Sequence, residues 1–473
     1  MALSTLQALT RIVAVALAAL AFAAPVAAQG RAKPRYEPPA PTAAAWIAGQ
    51  ARLVPLAADS PLLLEPIPLR TGATGQFLYG PTRGFDVSFT PDGAAKLQPH
   101  GDPRAKPILV AKPGRVPIPV SHAGSPATPL LVEFVDSAEG WAYRIPVLLQ
   151  LVFPTGSIFL RDADHDGWFD DLDSDQIAIG TAPKDLVFAA FTGEVALRDA
   201  RYLLGVNGVA KAGLWPLSRT LRADYARHVA EANALRRFLG LDPAGIAEEL
   251  TPICEAHARY CAQHGLSHEE SPSSPLFSEG GHYAGMHSNL GGGADARVAA
   301  IGLLKTLWHR NFYLRGTLTR VGVGMAGPPA NGEGMSYTPC TSDVLTHSRD
   351  SATKPITWPA DLARDVWVDG ADESPSPYPN GPRPGPFITV ILPRGAARDE
   401  RVESSITPRG GTALAHDVTD PLHPPPEARS RSPDNDRSIV LMPHETLAPS
   451  TIYDVVITTR TGASFRWSFR TQD

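Results

Sequence analysis

The stretch "TPICEAHARYCAQHGLSHEE", residues 251–270, decides the reading of this chain. Thr251 and Pro252 make a helix-opening pair, a hydroxyl N-cap followed by an imino acid at the first helical position. Gly265 closes the segment, because helices commonly end on a residue free to adopt positive φ. Between these marks, Cys254, His257, Ala258 and Cys261 fall on one face. His257 reads there as a packed or supporting histidine. Past the stop come His268, Glu269 and Glu270, imidazole beside carboxylate, the raw material of metal binding and proton transfer.

On either side the text is mostly helical. "EVALRDARYLLGVNGV" (194–209) and "ADYARHVAEANALRRFLGL" (223–241) carry apolar residues at three- and four-residue spacing. "DARVAAIGLLKTLWHRNF" (295–312) reads as a further helix, and "TRVGVGMA" (319–326) as a strand. Taken in order, the pieces resemble the CAP superfamily of cysteine-rich secretory, antigen 5 and pathogenesis-related proteins, whose bacterial members are SCP-like extracellular proteins. The resemblance rests on Asn233, Arg236, Gly240 and Leu241; on Ala256, His257, Ala258, Ser267 and His268; on His309 and Arg310; and on Gly322 and Gly324. It spans roughly residues 222–345, about a quarter of the chain.

The resemblance implies an α-β-α sandwich. It also implies a central cavity lined in many members by two histidines and two acidic residues, which in some hold a divalent metal. By motif position His268 and His309 match the histidines. The acidic positions do not carry over: Met286 or His287 stands where a glutamate is expected, and "GLLKTLW" (302–308) has no carboxylate. Zinc wants three or four protein ligands, so Zn²⁺ at His268 and His309 needs His287, His282, Glu269 or Glu270 to complete its shell. Glu269 and Glu270 also read as a solvated loop, and His309 as a helix-end histidine bonded to a carbonyl.

"DADHDGWFDDLDSD" (162–175) is the most specific short motif. Asp162, Asp164, Asp166, Gly167, Asp170 and Asp173 take positions 1, 3, 5, 6, 9 and 12 of a calcium loop, with the Trp168 carbonyl at position 7. The pattern resembles thrombospondin-type and dockerin calcium loops, and a single copy suggests a Ca²⁺ clip between domains. The alternative is an acidic solvated linker.

The remaining text reads as β-structure. Residues 46–160 are short apolar runs cut by glycine and proline, the pattern of a β-sandwich. Near the carboxy terminus Tyr453, Val455 and Ile457 alternate, "TG" (461–462) turns the chain, and Phe465, Trp467 and Phe469 alternate on the return. This part, from 355 to 473, resembles bacterial Ig-like domains. Residues 1–28 read as a secretory signal: Arg11, an apolar core "IVAVALAALAFAA" (12–24), and small residues at the cleavage positions. Residues 29–45 read as a linker. Three cysteines, Cys254, Cys261 and Cys340, allow one disulfide in an exported chain. Cys254 and Cys261 lie about 10 Å apart along a helix, beyond bridging reach, so a bridge would join Cys340 to Cys261 or to Cys254; the alternative is three buried thiols.

The expected architecture is therefore α+β: a CAP-type α-β-α sandwich (190–345, with preceding helices) flanked by two β-sandwich domains, with a calcium-loop-like linker at 161–176. A net charge of −5 without basic blocks gives no footprint for nucleic acid. No apolar run after the signal is long enough to span a membrane. The expected role is a secreted, non-catalytic binding module, periplasmic or extracellular, for a protein, polysaccharide or lipid ligand. The alternatives are a metal-assisted hydrolase using His268 and His309, and a lipid or sterol carrier.

Overall fold

The computed structural model describes residues 36–70, 72–79, 83–120, 128–138, 140–209, 211–327, 338–348, 354–371, 373, 377–378, 384–393, 401–423 and 437–472. The signal-like segment 1–28 and the first part of the 29–45 linker lie outside these residues.

Strand Ile47–Pro55 lies within an eight-stranded sheet. It pairs antiparallel with Val147–Phe153 on one side and Lys211–Leu217 on the other. The first side continues through Gly156–Arg161 and Gln176–Ile179 to Ala189–Ala190. The second continues through Ala200–Asn207 to Glu194–Leu197. Two four-stranded sheets from residues 67–144 share its core, where Leu149, Leu151 and Ile158 meet Val87, Leu97, Val132 and Phe134.

This corrects the helical reading of 194–209, which is a β-hairpin turning at Arg198, with φ of 54°. A short apolar run fits both periods. The long antiparallel ladder to Lys211–Leu217 supplies the partner that decides between them. The amino-terminal β unit accordingly runs past residue 160 to Leu217, and the acidic stretch 162–175 is not a linker between domains. It joins two neighbouring strands of one sheet, Gly156–Arg161 and Gln176–Ile179.

Among the described residues the central unit has five α-helices: α1 Ala223–Phe238, α2 Thr251–His264, α3 Glu279–His287, α4 Ala296–Lys305 and α5 Leu307–Tyr313. Its sheet runs Gly245–Ile246, Arg320–Met325, Thr338–Asp343, Ser288–Gly293. Strand alternation sorts the helices to the two faces. Val321, Val323 and Met325 join Tyr225, Val229 and Leu303 of α1 and α4 in one core. Gly322 and Gly324 turn the other way, toward α2. A Cβ on Gly324 would strike the backbone of Cys254 and Glu255, so only glycine lets the helix lie against this strand.

The single helix expected over 295–312 is two. Thr306 is extended (φ −83°, ψ 152°) and ends α4 before α5 begins. Of the two cysteine readings the structure has the unbridged one: Cys254, Cys261 and Cys340 are all free and buried. Cys340 pairs in register with Met325 and so faces α1 and α4, whereas Cys261 lies on α2, across the sheet. Burial pushes the Cys261 thiol up to about 11 and Cys340 to about 12, the range of inert packed thiols.

The carboxy-terminal unit has two four-stranded sheets with a common core of Val390, Leu441, Ile406, Val455 and Trp467. Its terminal hairpin has the expected register, Tyr453 opposite Phe469, Val455 opposite Trp467 and Ile457 opposite Phe465, with Gly462 at φ 88°. Among the described residues no helix is long and apolar enough to cross a membrane.

Candidate functional site

The loop after α2 is fastened from beneath. His257 is fully buried; its Nδ1 lies 2.9 Å from Glu270 Oε1 and its Nε2 2.9 Å from the Ser267 carbonyl. A carbonyl can only accept, so Nε2 carries a hydrogen, and the other ring nitrogen shares a proton with Glu270. Glu270 Oε2 accepts from the Ser278 N–H, the residue that caps α3. One imidazole–carboxylate pair thus ties α2, the loop and the start of α3 together. Gly285 is the second glycine that packing demands, because a Cβ there would strike His257 and the His268 carbonyl. Glu270, read as loop or ligand, is instead a buried strut, while Glu269 is exposed.

His268 sits half-buried on that loop, its Nδ1 2.8 Å from the Gly285 carbonyl. A carbonyl only accepts, so Nδ1 is the donor in that contact. His287 stacks on Tyr283 with ring centroids 4.0 Å apart and donates to the Tyr283 carbonyl. His282 Nδ1 accepts from the Glu270 N–H.

His309 lies in the first turn of α5. Its Nδ1 is 2.9 Å from Thr306 Oγ1 and 3.0 Å from Glu373 Oε1. The Thr306 hydroxyl spends its hydrogen on the Leu303 carbonyl, so both oxygens accept from His309 Nδ1. Glu373 is the carboxylate that sequence reasoning missed. It comes from the carboxy-terminal part, is fully buried, and accepts from the N–H groups of Leu307, Trp308 and His309. Sixty-odd residues separate it from His309, and no short-range pattern signals that distance. Arg310 beside it is buried and reaches the same unit, donating to the Phe387 carbonyl.

Ligand convergence was the condition for zinc at His268 and His309. Among the described residues one group of three or more histidine, cysteine or acidic side chains converges, and it is elsewhere: Asp162, Asp164 and Asp166. The expected partners Glu269 and His287 are therefore corrected. Glu269 turns to solvent, and His287 is held on Tyr283.

The acidic loop is the candidate metal centre. One oxygen each of Asp162, Asp164 and Asp166 lie within 4.8 Å of one another. Asp162 accepts from the N–H groups of Asp166 and Gly167, wrapping the loop on itself. Asp170 and Asp173, expected at positions 9 and 12, turn outward instead: Asp170 pairs with Arg237 at 3.0 Å and Asp173 with Arg297 at 2.5 Å. Asp171 and Asp175 were overlooked. Asp175 is buried and accepts from Ala163 and Asp171. Asp171 is gripped by Arg237 of α1 and by Arg364 of the carboxy-terminal unit, which also holds Asp166. Trp168 packs on Phe238 of α1 and belongs to the carboxy-terminal core. All three units meet on this loop.

Its electrostatics are lopsided. Burial, then the neighbouring Asp164 charge, holds Asp162 well above the usual carboxylate range. Burial does the same to Asp166, and burial with the Asp171 charge to Asp175. Burial opposes ionisation of Asp171 as well, yet Arg237 and Arg364 together bring it below its ordinary value.

Helix α1 explains the other motif residues. Asn233 exchanges two hydrogen bonds with the backbone of Ala244. Arg236, fully buried, donates to the carbonyls of Asp242, Tyr313, Arg315 and Leu318. These residues stitch the loop after α1 to the end of α5. Residues 229–340 match the CAP family, the cysteine-rich secretory protein family. A CAP domain is thus present in about a quarter of the chain. Among curated proteins none matches the chain.

One histidine of the central unit sets a pH limit. His228 on α1 is fully buried, with Nδ1 2.9 Å from the Ala296 carbonyl and Nε2 near Tyr313 and Ser342 hydroxyls. Burial brings it down to about 4. The unfolded chain then binds the extra proton first, so stability is full above about 6.5 and is lost as pH falls toward 4. The loss should total about 3 kcal/mol. Urea unfolding of wild type and His228→Gln between pH 7.5 and 4 should show a shallower acid decline in the variant; parallel curves would refute the assignment.

Proposed function

We propose that this chain is an exported CAP-domain protein whose central unit binds an extracellular ligand without turning it over. One observation carries the reading. Glu270, on the loop that carries His268, and Glu373, beside His309, have fully buried side chains spent on backbone N–H groups and imidazoles. A general base needs a carboxylate free to take a proton from substrate or water. The CAP match supports export, since such proteins are typically secreted. The carboxy-terminal pair of sheets, read as an Ig-like domain, then serves as a support that holds α5 through Glu373 and Arg310.

A second reading has its own observation. His268 and His309 are both anchored through Nδ1, as zinc-binding histidines commonly are. Metal analysis of the purified protein separates the two. Binding without catalysis predicts the same substoichiometric zinc in wild type, His268→Ala and His309→Ala. Stoichiometric zinc that disappears in both variants would favour metal-assisted hydrolysis.

The acidic loop is read as a structural Ca²⁺ site built on Asp162, Asp164 and Asp166, with the Trp168 carbonyl and Asp175 as further oxygens. A hard divalent cation offsets the burial cost, and then the mutual repulsion, that holds Asp162, Asp166 and Asp175 above the usual carboxylate range. Calcium at a hundred times its Kd should stabilise the fold by about 2.7 kcal/mol. The gain is to be read as a rise in Tm that chelator reverses and Asp162→Ala abolishes. An unchanged wild-type Tm would rule the site out.

A further inference from the structure

Arg364 leaves the carboxy-terminal unit from a contorted stretch. Strand Ala363–Val366 runs parallel to Ser464–Thr471 but slips register between Ala363 and Val366. Leu362 and Asp365 hold positive φ, 64° and 54°, a conformation that side chains other than glycine adopt only under strain. The contortion aims the Arg364 side chain, 4% exposed, at Asp166 and Asp171, nearly two hundred residues earlier. A cation is thus already seated in the acidic loop. It fits imperfectly, because its Nε–H, like that of the equally buried Arg237, has no acceptor among the described residues.

Asp166 belongs to two sets at once. It is one of the three converging carboxylates, and it is also Arg364's partner. Its Oδ1 already accepts from the Trp168 N–H. A calcium ion must sit about 2.3–2.6 Å from an Asp166 oxygen, which brings a double positive charge within a few ångström of the guanidinium. The ion gains Asp162 and Asp164, which Arg364 does not touch. We propose that Arg364 is an exchangeable internal cation: a divalent ion entering the loop competes with it for Asp166, so that loading the loop loosens the carboxy-terminal unit's hold there. The proposal rests on the calcium reading above. By linkage the competition is reciprocal, and whatever factor Arg364 takes from calcium affinity, calcium takes from Arg364 docking.

Calorimetric titration of the full chain with CaCl₂ tests one direction. Arg364→Gln removes the charge, keeps a hydrogen-bonding end, and should bind calcium at least tenfold more tightly than wild type. Hydrogen exchange on unaltered protein tests the other and needs no variant: calcium should speed exchange at the amides of Ala363–Val366. Equal or weaker binding by Arg364→Gln, or protection there that calcium leaves unchanged or raises, overturns the competition and leaves the calcium site standing. Absence of calcium uptake by both proteins overturns the site and the competition together.

Discussion

Arg237→Met should lower the unfolding free energy by about 3–5 kcal/mol, the range for removing one partner of a buried ion pair. The guanidinium is 4% exposed and pairs with both Asp170 and Asp171. Methionine keeps the length and packing but leaves two buried carboxylates with one remaining guanidinium, Arg364, which of these two reaches Asp171 alone. The side chain also lies over Trp168 and Phe238, with its charge 5.3 Å and 4.8 Å from their ring centres, so some of the loss is packing. Adding Asp171→Asn removes one stranded charge and should recover part of the stability. Denaturant unfolding at neutral pH measures both. A loss below about 1 kcal/mol for the single variant would show these ion pairs to be as weak as exposed ones.

His257→Ala should cost a comparable amount, about 3–4 kcal/mol. It empties a fully buried site and strips Glu270 of its proton-sharing partner in a place closed to water. Glu270→Gln is milder, about 1–2 kcal/mol, because the amide oxygen still accepts from Ser278 while the amide nitrogen faces the ring. Both variants should free the loop that carries His268, seen as faster amide exchange over residues 266–270. Equal, small losses from the two replacements would mean that the pair fills space without fastening the loop.

What the amino-acid sequence discloses here is local. The opening Pro252 and closing Gly265 of α2 are where spacing puts them, although Leu250 rather than Thr251 takes the cap position. The terminal hairpin was legible to its register, because its apolar residues alternate about an obvious turn. The hairpin at 194–207 was not, since its partner strand decides it and the run itself fits either period. The same limit applies to the sites. Asp162, Asp164 and Asp166 converge as their spacing implies. Asp170 and Asp173 are drawn away by Arg237 and Arg297, side chains more than sixty residues downstream. Glu373, the carboxylate at His309, enters from a different unit altogether.

The junction at Asp171 has a consequence for how the molecule is made. A chain is synthesised from its amino terminus, and early units usually begin folding before later ones exist. Here Asp171 emerges 66 residues ahead of Arg237 and 193 residues ahead of Arg364. Arg237 can neutralise Asp170 and Asp171 once the central unit exists, but the first β unit lacks the partner of Asp166 until Arg364 has been translated. Its maturation waits on the tail, and a chain halted before Arg364 is left with Asp166 short of its counter-charge.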